Sequence, residues 1–317
     1  MRGRSVPRPS AHSWSFLEPY VAQADAYVFS RSRFVWKTLE AARSFTIPPV
    51  INPLAPKNQE LSKSEVAGIL AVAGVQPDGD GSGFVRLDGT PGRVDRAVTL
   101  EGGAKLPADV PVILQASDWN SLKDPAGVVR MFAEFVAPQS RAHLIVAGPG
   151  VEWISEETEA EATYEETLRT LHELPPAVRE RVHVISIPND DPEEAGALVN
   201  ALQRRASVAV QRSRGEGFGM AVMEAMWKRL PVVSSRVGGL QEQVIDRKTG
   251  FLIDPGDVRA AGEAILKLLD DADRAAEMGE AGHDRVKQHF LLPHDVPRWL
   301  EAIEYALMRQ SSQHERR

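Results

Sequence analysis

Two glutamates and three glycines form the segment of this sequence best suited to chemistry. Glu216 and Glu224 lie eight residues apart, and Gly215, Gly217 and Gly219 alternate with other residues around the first of them. Glycines let a backbone approach a ligand closely, and the start of a following helix offers unpaired N–H groups with a partial positive charge. A carboxylate can accept hydrogen bonds from two neighbouring hydroxyls, as in the cis-diol of ribose. The segment predicts a site for phosphate and sugar oxygens, although a tight strand-to-helix turn beside solvated acids would give the same pattern.

The full phrase resembles a known signature. Residues 216–224 read Glu-Gly-Phe-Gly-Met-Ala-Val-Met-Glu, which is similar to the Glu-x7-Glu signature of retaining glycosyltransferases with the GT-B fold, in the large family 4 group. Further similar segments lie on both sides, at residues 199–204, 224–228, 231–233, 236–241 and 249–252. Together they look like the trehalose synthase subgroup, which joins glucose from a nucleotide donor to free glucose. The resemblance runs from about Trp14 to the C-terminus and is strongest over residues 110–260.

The resemblance implies roles for individual residues. Glu224 would bind the ribose hydroxyls of the donor, and Glu216 would meet the transferred sugar. The Arg236–Gly239 segment would form a second glycine turn near the donor, although an ordinary turn after a strand would read the same way. The implied catalytic residues are Glu216 and Lys123, and the implied donor-binding residues are Gly217, Phe218, Gly219, Glu224, Arg212, Arg236, Gly238 and Gly239.

The predicted phosphate contacts depart from the family pattern. A leaving nucleoside diphosphate develops negative charge that needs a positioned cation or a helix start. The family places Arg-x4-Lys after the first strand of this domain; Lys123 matches the lysine, but Asp118 stands at the arginine position. Like charges a few ångströms apart cost about 1 kcal/mol in water and more when partly buried. Either Arg212 or Arg236 provides the missing cation, or the site has lost its activity; Lys123 alone would also fit a solvated surface lysine.

Six apolar runs predict the strands that position these loops, at residues 112–114, 143–146, 182–187, 208–210, 232–233 and 251–253. Helices are predicted between most of them, at residues 126–136, 163–171, 193–205, 220–228 and 258–269. Continuous apolar strands that alternate with helices indicate a parallel sheet covered on both faces. The fold class is therefore α/β, and the resemblance makes it GT-B type with one complete Rossmann-like domain. Sheets of this kind bind ligands beyond the carboxyl ends of their strands, where we expect the site.

The remaining chain predicts the domain organisation. Residues 1–50 resemble a remnant of an N-terminal acceptor domain, with a helix over 14–21, a strand over 26–29 and a second helix over 34–42. Three prolines hold residues 47–53 extended as a connector. Residues 51–290 would form the nucleotide-sugar-binding domain, with a helix over 60–73 and a mobile loop or hairpin elaboration over 77–103; residues 291–317 would form a terminal helix and tail. The first segment is too short for several βα units of about 30 residues each, so we expect a truncated chain or one part of a split protein.

Composition excludes several other classes of protein. The net charge is −7 with acids and bases interspersed, unlike the basic stripe of a nucleic-acid binder. The absence of cysteine excludes disulfides and thiolate zinc sites, and it fits a cytoplasmic protein. No apolar run approaches the ~18 residues of a membrane span. The histidines lack metal-ligand spacing, so no metal site and no cofactor besides the nucleotide-sugar substrate is expected.

Smaller motifs have simpler interpretations. Asp191 is predicted as the N-cap of the helix that follows it, although the 188–192 segment could also face the site. Trp153, Trp227 and Trp299 are predicted to pack rather than to stack on sugars.

Three hypotheses remain open from the sequence. The first is hexosyl transfer with retention, from a nucleoside diphosphate sugar to a small sugar acceptor. The second is a module that binds such a nucleotide sugar without turnover. The third is a decayed fragment that folds poorly because its cleft face is uncovered, a face that a homo-oligomer or a partner could cover. A nicotinamide-binding protein is disfavoured because the glycines lack the Gly-x-Gly-x-x-Gly spacing.

Overall fold

A computed structural model describes residues 11–150 and 158–314. Its helices are α1 (Ala11–Val21), α2 (Lys63–Val72), α3 (Pro125–Met131), α4 (Thr158–His172), α5 (Pro176–Arg179), α6 (Pro192–Arg205), α7 (Met220–Trp227), α8 (Leu240–Gln243), α9 (Val258–Asp270), α10 (Ala272–His289) and α11 (Leu292–His314). Its strands are β1 (Tyr27–Phe29), β2 (Ser44–Thr46), β3 (Gly83–Val85), β4 (Pro91–Arg93), β5 (Thr99–Gly102), β6 (Val112–Ala116), β7 (His143–Pro149), β8 (Val182–Ile187), β9 (Val208–Gln211), β10 (Val232–Ser235) and β11 (Phe251–Ile253).

Seven strands form one sheet in the order β11-β10-β9-β6-β7-β8-β5. The strands from β6 to β11 are parallel to their neighbours, and each coincides with one of the six apolar runs. Only the edge strand β5 runs antiparallel, where Leu100 pairs with Ile185. The parallel α/β fold predicted from the sequence is confirmed.

Apolar side chains cover both faces of this sheet. Alternate residues of β6 enter different cores: Ile113 joins a cluster with α3 and α9, whereas Leu114 joins a cluster with α2 and α6. All four of the central residues 112–115 are buried. Burial on both faces explains why these strands read as continuous apolar runs rather than as alternating ones.

Two helix predictions need adjustment. The helix predicted over residues 34–42 is wrong: this stretch holds 3-10 turns at Ser32–Phe34 and Ala41–Arg43, followed by β2. The helix predicted over residues 126–136 ends its α-helical part at Met131 and continues as a π-helix over Phe132–Val136. Helix α2 begins where a capping box forms, with Ser62 and Glu65 bonding reciprocally.

The elaboration over residues 77–103 contains a hairpin, as predicted, made by β3 and β4. The hairpin is tied to the rest of the sheet domain, because Arg86 donates to Asp191 Oδ2 at 2.6 Å and to Glu193 Oε2 at 3.1 Å. The same elaboration ends in β5, which joins the main sheet. A purely mobile loop is therefore not what the structure shows.

The chain separates into two compact units. Residues Asn52–Lys287 form the unit with the seven-stranded sheet. The other unit combines the described residues up to Ile51 with those from Gln288 onward. In this second unit β1 and β2 form a parallel pair, and Phe45 packs edge-on against Tyr305 of α11 at a ring separation of 5.6 Å. Within the described part of the chain, no helix is long and apolar enough to cross a membrane.

Candidate functional site

A cavity of about 550 Å³ opens at the carboxyl ends of the central strands. Its volume falls within the range of roughly 300–1,000 Å³ that is usual for ligand pockets. The loops after four neighbouring strands line it, which is the location that the strand pattern predicts. From these loops come Ser117 and Asp118 after β6, Pro149 at the end of β7, Asn189 after β8, and Glu216 and Phe218 after β9.

The glycine-rich segment leads into α7 beside this cavity. Gly219 is the N-cap of α7 with φ 95°, and no side chain caps the helix start. The positive φ favours glycine at this position, and a Cβ on Gly219 would lie 2.4 Å from Leu240 Cδ2, so the Leu240 side chain would have to shift for any other residue. Gly219, Met220 and Ala221 all line the cavity. The uncapped N–H groups of α7 are therefore placed where an anion or a sugar oxygen could accept from them.

The second glycine turn supports this segment from outside the cavity. Gly238 has φ 48°, and a Cβ on it would lie 1.7 Å from the backbone oxygen of Glu216. The N–H of Gly239 donates to the carbonyl of Gly217 at 3.0 Å. Gly217, Gly238 and Gly239 are not among the residues that line the cavity. The structure thus gives the second turn a packing role against the first, and it does not bring these three glycines to the cavity wall.

The two predicted catalytic side chains contact each other. Lys123 Nζ donates to Glu216 Oε2 at 2.6 Å, and both line the cavity. Ser213 Oγ donates to the same carboxylate oxygen at 3.2 Å, and Gln211 Nε2 donates to Ser213 Oγ at 2.9 Å. The Glu216 side chain is 8% exposed and that of Lys123 19%. An ammonium has three donors, so Lys123 can hold Glu216 and still donate to an anion in the cavity.

Arg212, which was expected to bind the donor, forms an ion pair with a buried acid. Its guanidinium forms an ion pair with the buried carboxylate of Asp124, which also accepts from Arg214 Nη2 at 2.6 Å. Burial raises the pKa of Asp124, and Arg212 and Arg214 oppose that rise. Arg212 is absent from the cavity lining among the described residues. Its role is to anchor the loop after β9 to the loop that carries Lys123.

Arg236 is also held elsewhere. Its Nη2 donates to the Leu252 carbonyl at 3.0 Å, and the side chain forms ion pairs with Asp246 and Asp254, both at 3.4 Å. Arg236 does not line the cavity in the described structure, whereas the exposed carboxylate of Asp118 does. Neither arginine considered from the sequence replaces the family arginine in this arrangement.

Glu224 faces the cavity from the first turns of α7 and is accompanied by a lysine that sequence reasoning missed. Its side chain is only 6% exposed, and Lys57 Nζ lies 3.0 Å from its Oε2. Both residues line the cavity. Lys57 lies 167 positions before Glu224, just after the proline-rich connector, and no spacing rule links the two.

A second, half-buried lysine lies next to Glu224. Lys228 Nζ donates to the backbone oxygen of Glu224 and to Asn58 Oδ1, both at 3.2 Å. Burial lowers the pKa of Lys228 to about 7, and the nearby Glu224 charge opposes this change. Its proximity to Glu224 follows from the i, i+4 spacing on α7, which the sequence does show.

Two of the smaller motifs, Asp191 and Trp227, occupy the positions expected of them. Asp191 caps α6 by accepting from Glu193 N at 3.0 Å, as predicted, while Asn189 of the same segment lines the cavity. Trp227 stacks on His283 with ring centroids 4.5 Å apart, which confirms its packing role. Trp299 is 47% exposed, and Trp153 lies outside the described residues. No group of three or more potential metal ligands occurs in the described ranges.

Comparison with known proteins adds an independent finding. The profile of the family described as "Glycosyl transferases group 1" matches residues 101–285. A trehalose synthase from Thermococcus litoralis is 30% identical over 295 residues, which cover 93% of this chain and 61% of that protein. A trehalose synthase from Rubrobacter xylanophilus is also 30% identical, over 90% of this chain and 58% of that protein. The chain thus spans about 60% of the length of these curated relatives.

Solved structures share the fold. The Anabaena protein HepE in complex with UDP-glucose superimposes with a TM-score of 0.66 at 16% identity, covering 96% of this chain and 68% of that one. At this level of identity the similarity concerns the fold alone.

Proposed function

We propose that this chain, which belongs to the group 1 glycosyl transferases, binds a nucleoside diphosphate sugar in the cavity at the carboxyl ends of its sheet and takes part in hexosyl transfer. The observation that carries the proposal is the placement of Glu216, Glu224 and the uncapped start of α7 on one cavity wall. The relatives named trehalose synthase and the UDP-glucose complex of a protein with the same fold support it.

The geometry suggests how a donor would be held. The carboxylate of Glu224 would accept from the ribose hydroxyls, which a carboxylate can do in pairs. The N–H groups at the start of α7 would meet the diphosphate or the sugar, and the Lys123 ammonium would meet the negative charge on the leaving diphosphate. Glu216, held by Lys123 and Ser213, would contact the transferred sugar.

The finer proposal is glucosyl transfer with retention to a small sugar, as the resemblance to trehalose synthases suggests. Attack of the acceptor hydroxyl on the same face as the departing diphosphate would form the new glycosidic bond, and the diphosphate oxygen would take the hydroxyl proton. No protein nucleophile is required by that route, in agreement with a carboxylate, Glu216, that is already engaged by two donors.

A second candidate is a module that binds the nucleotide sugar without turnover. It is favoured by Asp118, which places a carboxylate in the cavity where the family has an arginine, and by the engagement of Arg212 and Arg236 elsewhere. Loss of one charge-stabilising donor costs about 100- to 1,000-fold in rate in other enzymes, which is enough to leave binding without measurable transfer.

One experiment separates the two candidates. Calorimetry with UDP-, ADP- and GDP-glucose measures binding, and chromatography of the same samples with and without added glucose measures disaccharide and released hexose. For an enzyme we expect Glu216→Ala to lower product formation by about 100-fold or more. Glu280→Ala, which removes a half-exposed acid paired with Arg229, is the matched control.

The outcomes are distinct. Binding together with product that depends on Glu216 supports transfer. Binding with equal background product from the unmodified and Glu216→Ala proteins supports the binding module. Absence of binding to all three sugar nucleotides contradicts both candidates.

A further inference from the structure

The segment Asn52–Gln59 lies against α6 and α7 and reaches the cavity through one side chain. Lys57 lines the cavity, and its Nζ is 3.0 Å from Glu224 Oε2. Because the Lys57 side chain is 41% exposed while that of Glu224 is 6% exposed, this pair joins a partly exposed lysine to an almost fully buried acid. We propose that Lys57 is a positioning residue that holds the Glu224 carboxylate for the ribose diol of a nucleotide, an inference that rests on the proposed function.

The Glu224 carboxylate has little other support from the protein. Its Oε2 is buried and accepts no hydrogen bond of good geometry within the described residues. Lys228, although close, donates to the backbone oxygen of Glu224 rather than to its carboxylate. A buried carboxylate without a partner is costly, and an opposite charge in contact offsets that cost. Lys57 is therefore the ammonium that contacts this acid in the described structure.

The backbone around Lys57 is fixed by buried side chains, so the contact is built rather than incidental. Asn58 is 5% exposed, and its Nδ2 donates to the carbonyl of Asn52 at 3.1 Å. Trp227 Nε1 donates to the Asn58 carbonyl at 3.1 Å, and Lys228 donates to its side chain at 3.2 Å. The residues that follow Glu224 on α7 thus hold the residue that follows Lys57.

Helix α6 fixes the same segment from its other side. The fully buried Asn200 donates through Nδ2 to the Pro56 carbonyl at 2.9 Å and to the Gln59 carbonyl at 2.8 Å. Gly196 leaves room for Lys57, since a Cβ on that glycine would lie 3.3 Å from Lys57 Cβ. Hydrogen bonds to the residues on both sides of Lys57, together with the close approach of Gly196, fix the backbone position from which the Lys57 side chain extends.

The arrangement leaves acceptor capacity for a ligand. Each carboxylate oxygen can accept two hydrogen bonds, and the Lys57 contact is on the buried Oε2, so Oε1 keeps its capacity for a ligand. The ribose 2′- and 3′-hydroxyls could therefore bind to Glu224 while Lys57 stays in place. Lys57 would act on ribose recognition through Glu224, without a contact of its own to the transferred sugar.

Ribose selectivity tests this role. The probe is whichever of UDP, ADP and GDP binds the unmodified protein, together with the matching 2′,3′-dideoxynucleoside diphosphate, titrated by calorimetry. We expect Lys57→Met to weaken binding of the ribonucleotide by about 10- to 100-fold, the range expected for weakened hydrogen bonds to a charged group, and to leave the dideoxy affinity nearly unchanged. Lys57→Arg should restore most of the ratio, and Lys63→Met, at an exposed lysine outside the cavity, should not alter it.

A double variant keeps the test valid if Lys57→Met unfolds. Glu224→Gln removes the charge that Lys57 neutralises, so Lys57→Met in the Glu224→Gln background should fold as well as Glu224→Gln alone and should change the ribose ratio no further. Additive effects of the two substitutions on that ratio would overturn the inference.

The single variants are equally decisive. An unchanged or larger ribose ratio in folded Lys57→Met contradicts this inference alone. Failure of the unmodified protein to bind any of the three ribonucleotides contradicts the proposed function and, with it, this inference.

Discussion

Asp118 and Lys123 place opposite charges on the same cavity wall. Lys123 shares its ammonium with Glu216, so only part of its positive charge is available to a diphosphate. Asp118 is exposed, and no contact in the described structure holds its carboxylate away from the cavity. The balance of charge where a diphosphate would lie is therefore less favourable than a lysine and an arginine would make it.

Asp118→Asn should strengthen nucleotide binding. Removing a like charge a few ångströms from a diphosphate is worth about 1 kcal/mol in a water-like environment, or roughly fivefold in affinity. The gain should shrink as salt is raised, because the Debye length falls from about 10 Å at 0.1 M to 3 Å at 1 M. Titration calorimetry with UDP at both ionic strengths measures it, with Asp80→Asn at an exposed position outside the cavity as control. Equal affinities of Asp118→Asn and the unmodified protein would show that Asp118 lies too far from the phosphates to matter.

The sequence identified some site residues and could not identify others. Glu216, Glu224 and Lys123 sit in short motifs whose spacing is fixed by one loop and one helix, and the structure brings all three to the cavity. Lys57 was missed because its contact with Glu224 depends on the path that the Asn52–Gln59 segment takes in the folded protein. The ion pair of Arg212 with Asp124 could not be foreseen either, because the buried Asp124 comes from another strand's loop.

The two glycine turns after β9 and β10 form one packed unit. The backbone of Gly238 touches the Glu216 carbonyl, and Gly239 bonds to the Gly217 carbonyl. Because Glu216 starts the loop that leads to α7, its position depends on a neighbouring turn that never enters the cavity. This dependence explains why a turn outside the cavity can still matter for the site.

Gly238→Ala should destabilise the fold and displace Glu216. A Cβ at 1.7 Å from a backbone oxygen cannot fit without movement of the backbone, and φ 48° adds strain for alanine. We expect the free energy of unfolding to fall by about 2–4 kcal/mol, as for other strained or overpacked sites. Gly217→Ala is the matched control, since nothing lies within 4 Å of its Cβ. Urea denaturation of the two variants measures the difference, and equal midpoints would mean that the two turns separate at little cost.

Helices and strands could be predicted from the sequence where their burial produces a recognisable pattern of apolar residues. The strands β6 to β11 are buried on both faces and read as continuous apolar runs. The stretch over residues 34–42 contains apolar residues at helical spacing but forms two 3-10 turns. It connects β1 to β2, and the pairing of these two strands cannot be read from the local spacing of apolar residues. The edge strand β5 lies in a glycine- and aspartate-rich context, and only its pairing with β8 shows that it joins the main sheet.

At the level of the whole sheet domain, a buried pair of histidines leads us to expect a loss of stability in acid. His143 begins β7 and His183 lies on β8; their rings stack at 5.2 Å, with Nδ1 of the first 2.9 Å from Nε2 of the second. Burial, and then the neighbouring His143, lower the pKa of His183 from 6.5 to about 4. Burial and nearby Arg181 also lower the pKa of His143. Both rings therefore favour the neutral form in the folded protein.

This pair should make the fold weaken between about pH 6.5 and pH 4. In that window His183 binds a proton in the unfolded chain but stays neutral in the folded protein. The free energy of unfolding therefore falls as pH falls, by on the order of 3 kcal/mol for the His183 shift. Above pH 6.5 neither state binds the proton, and the slope from this group vanishes. His183→Gln should flatten the decline, whereas His172→Gln, at an exposed site, should leave it unchanged. Urea denaturation at half-unit steps from pH 4 to pH 8 measures the slopes. Parallel curves for His183→Gln and the unmodified protein would show that His183 takes up its proton without unfolding, and that other groups control acid stability.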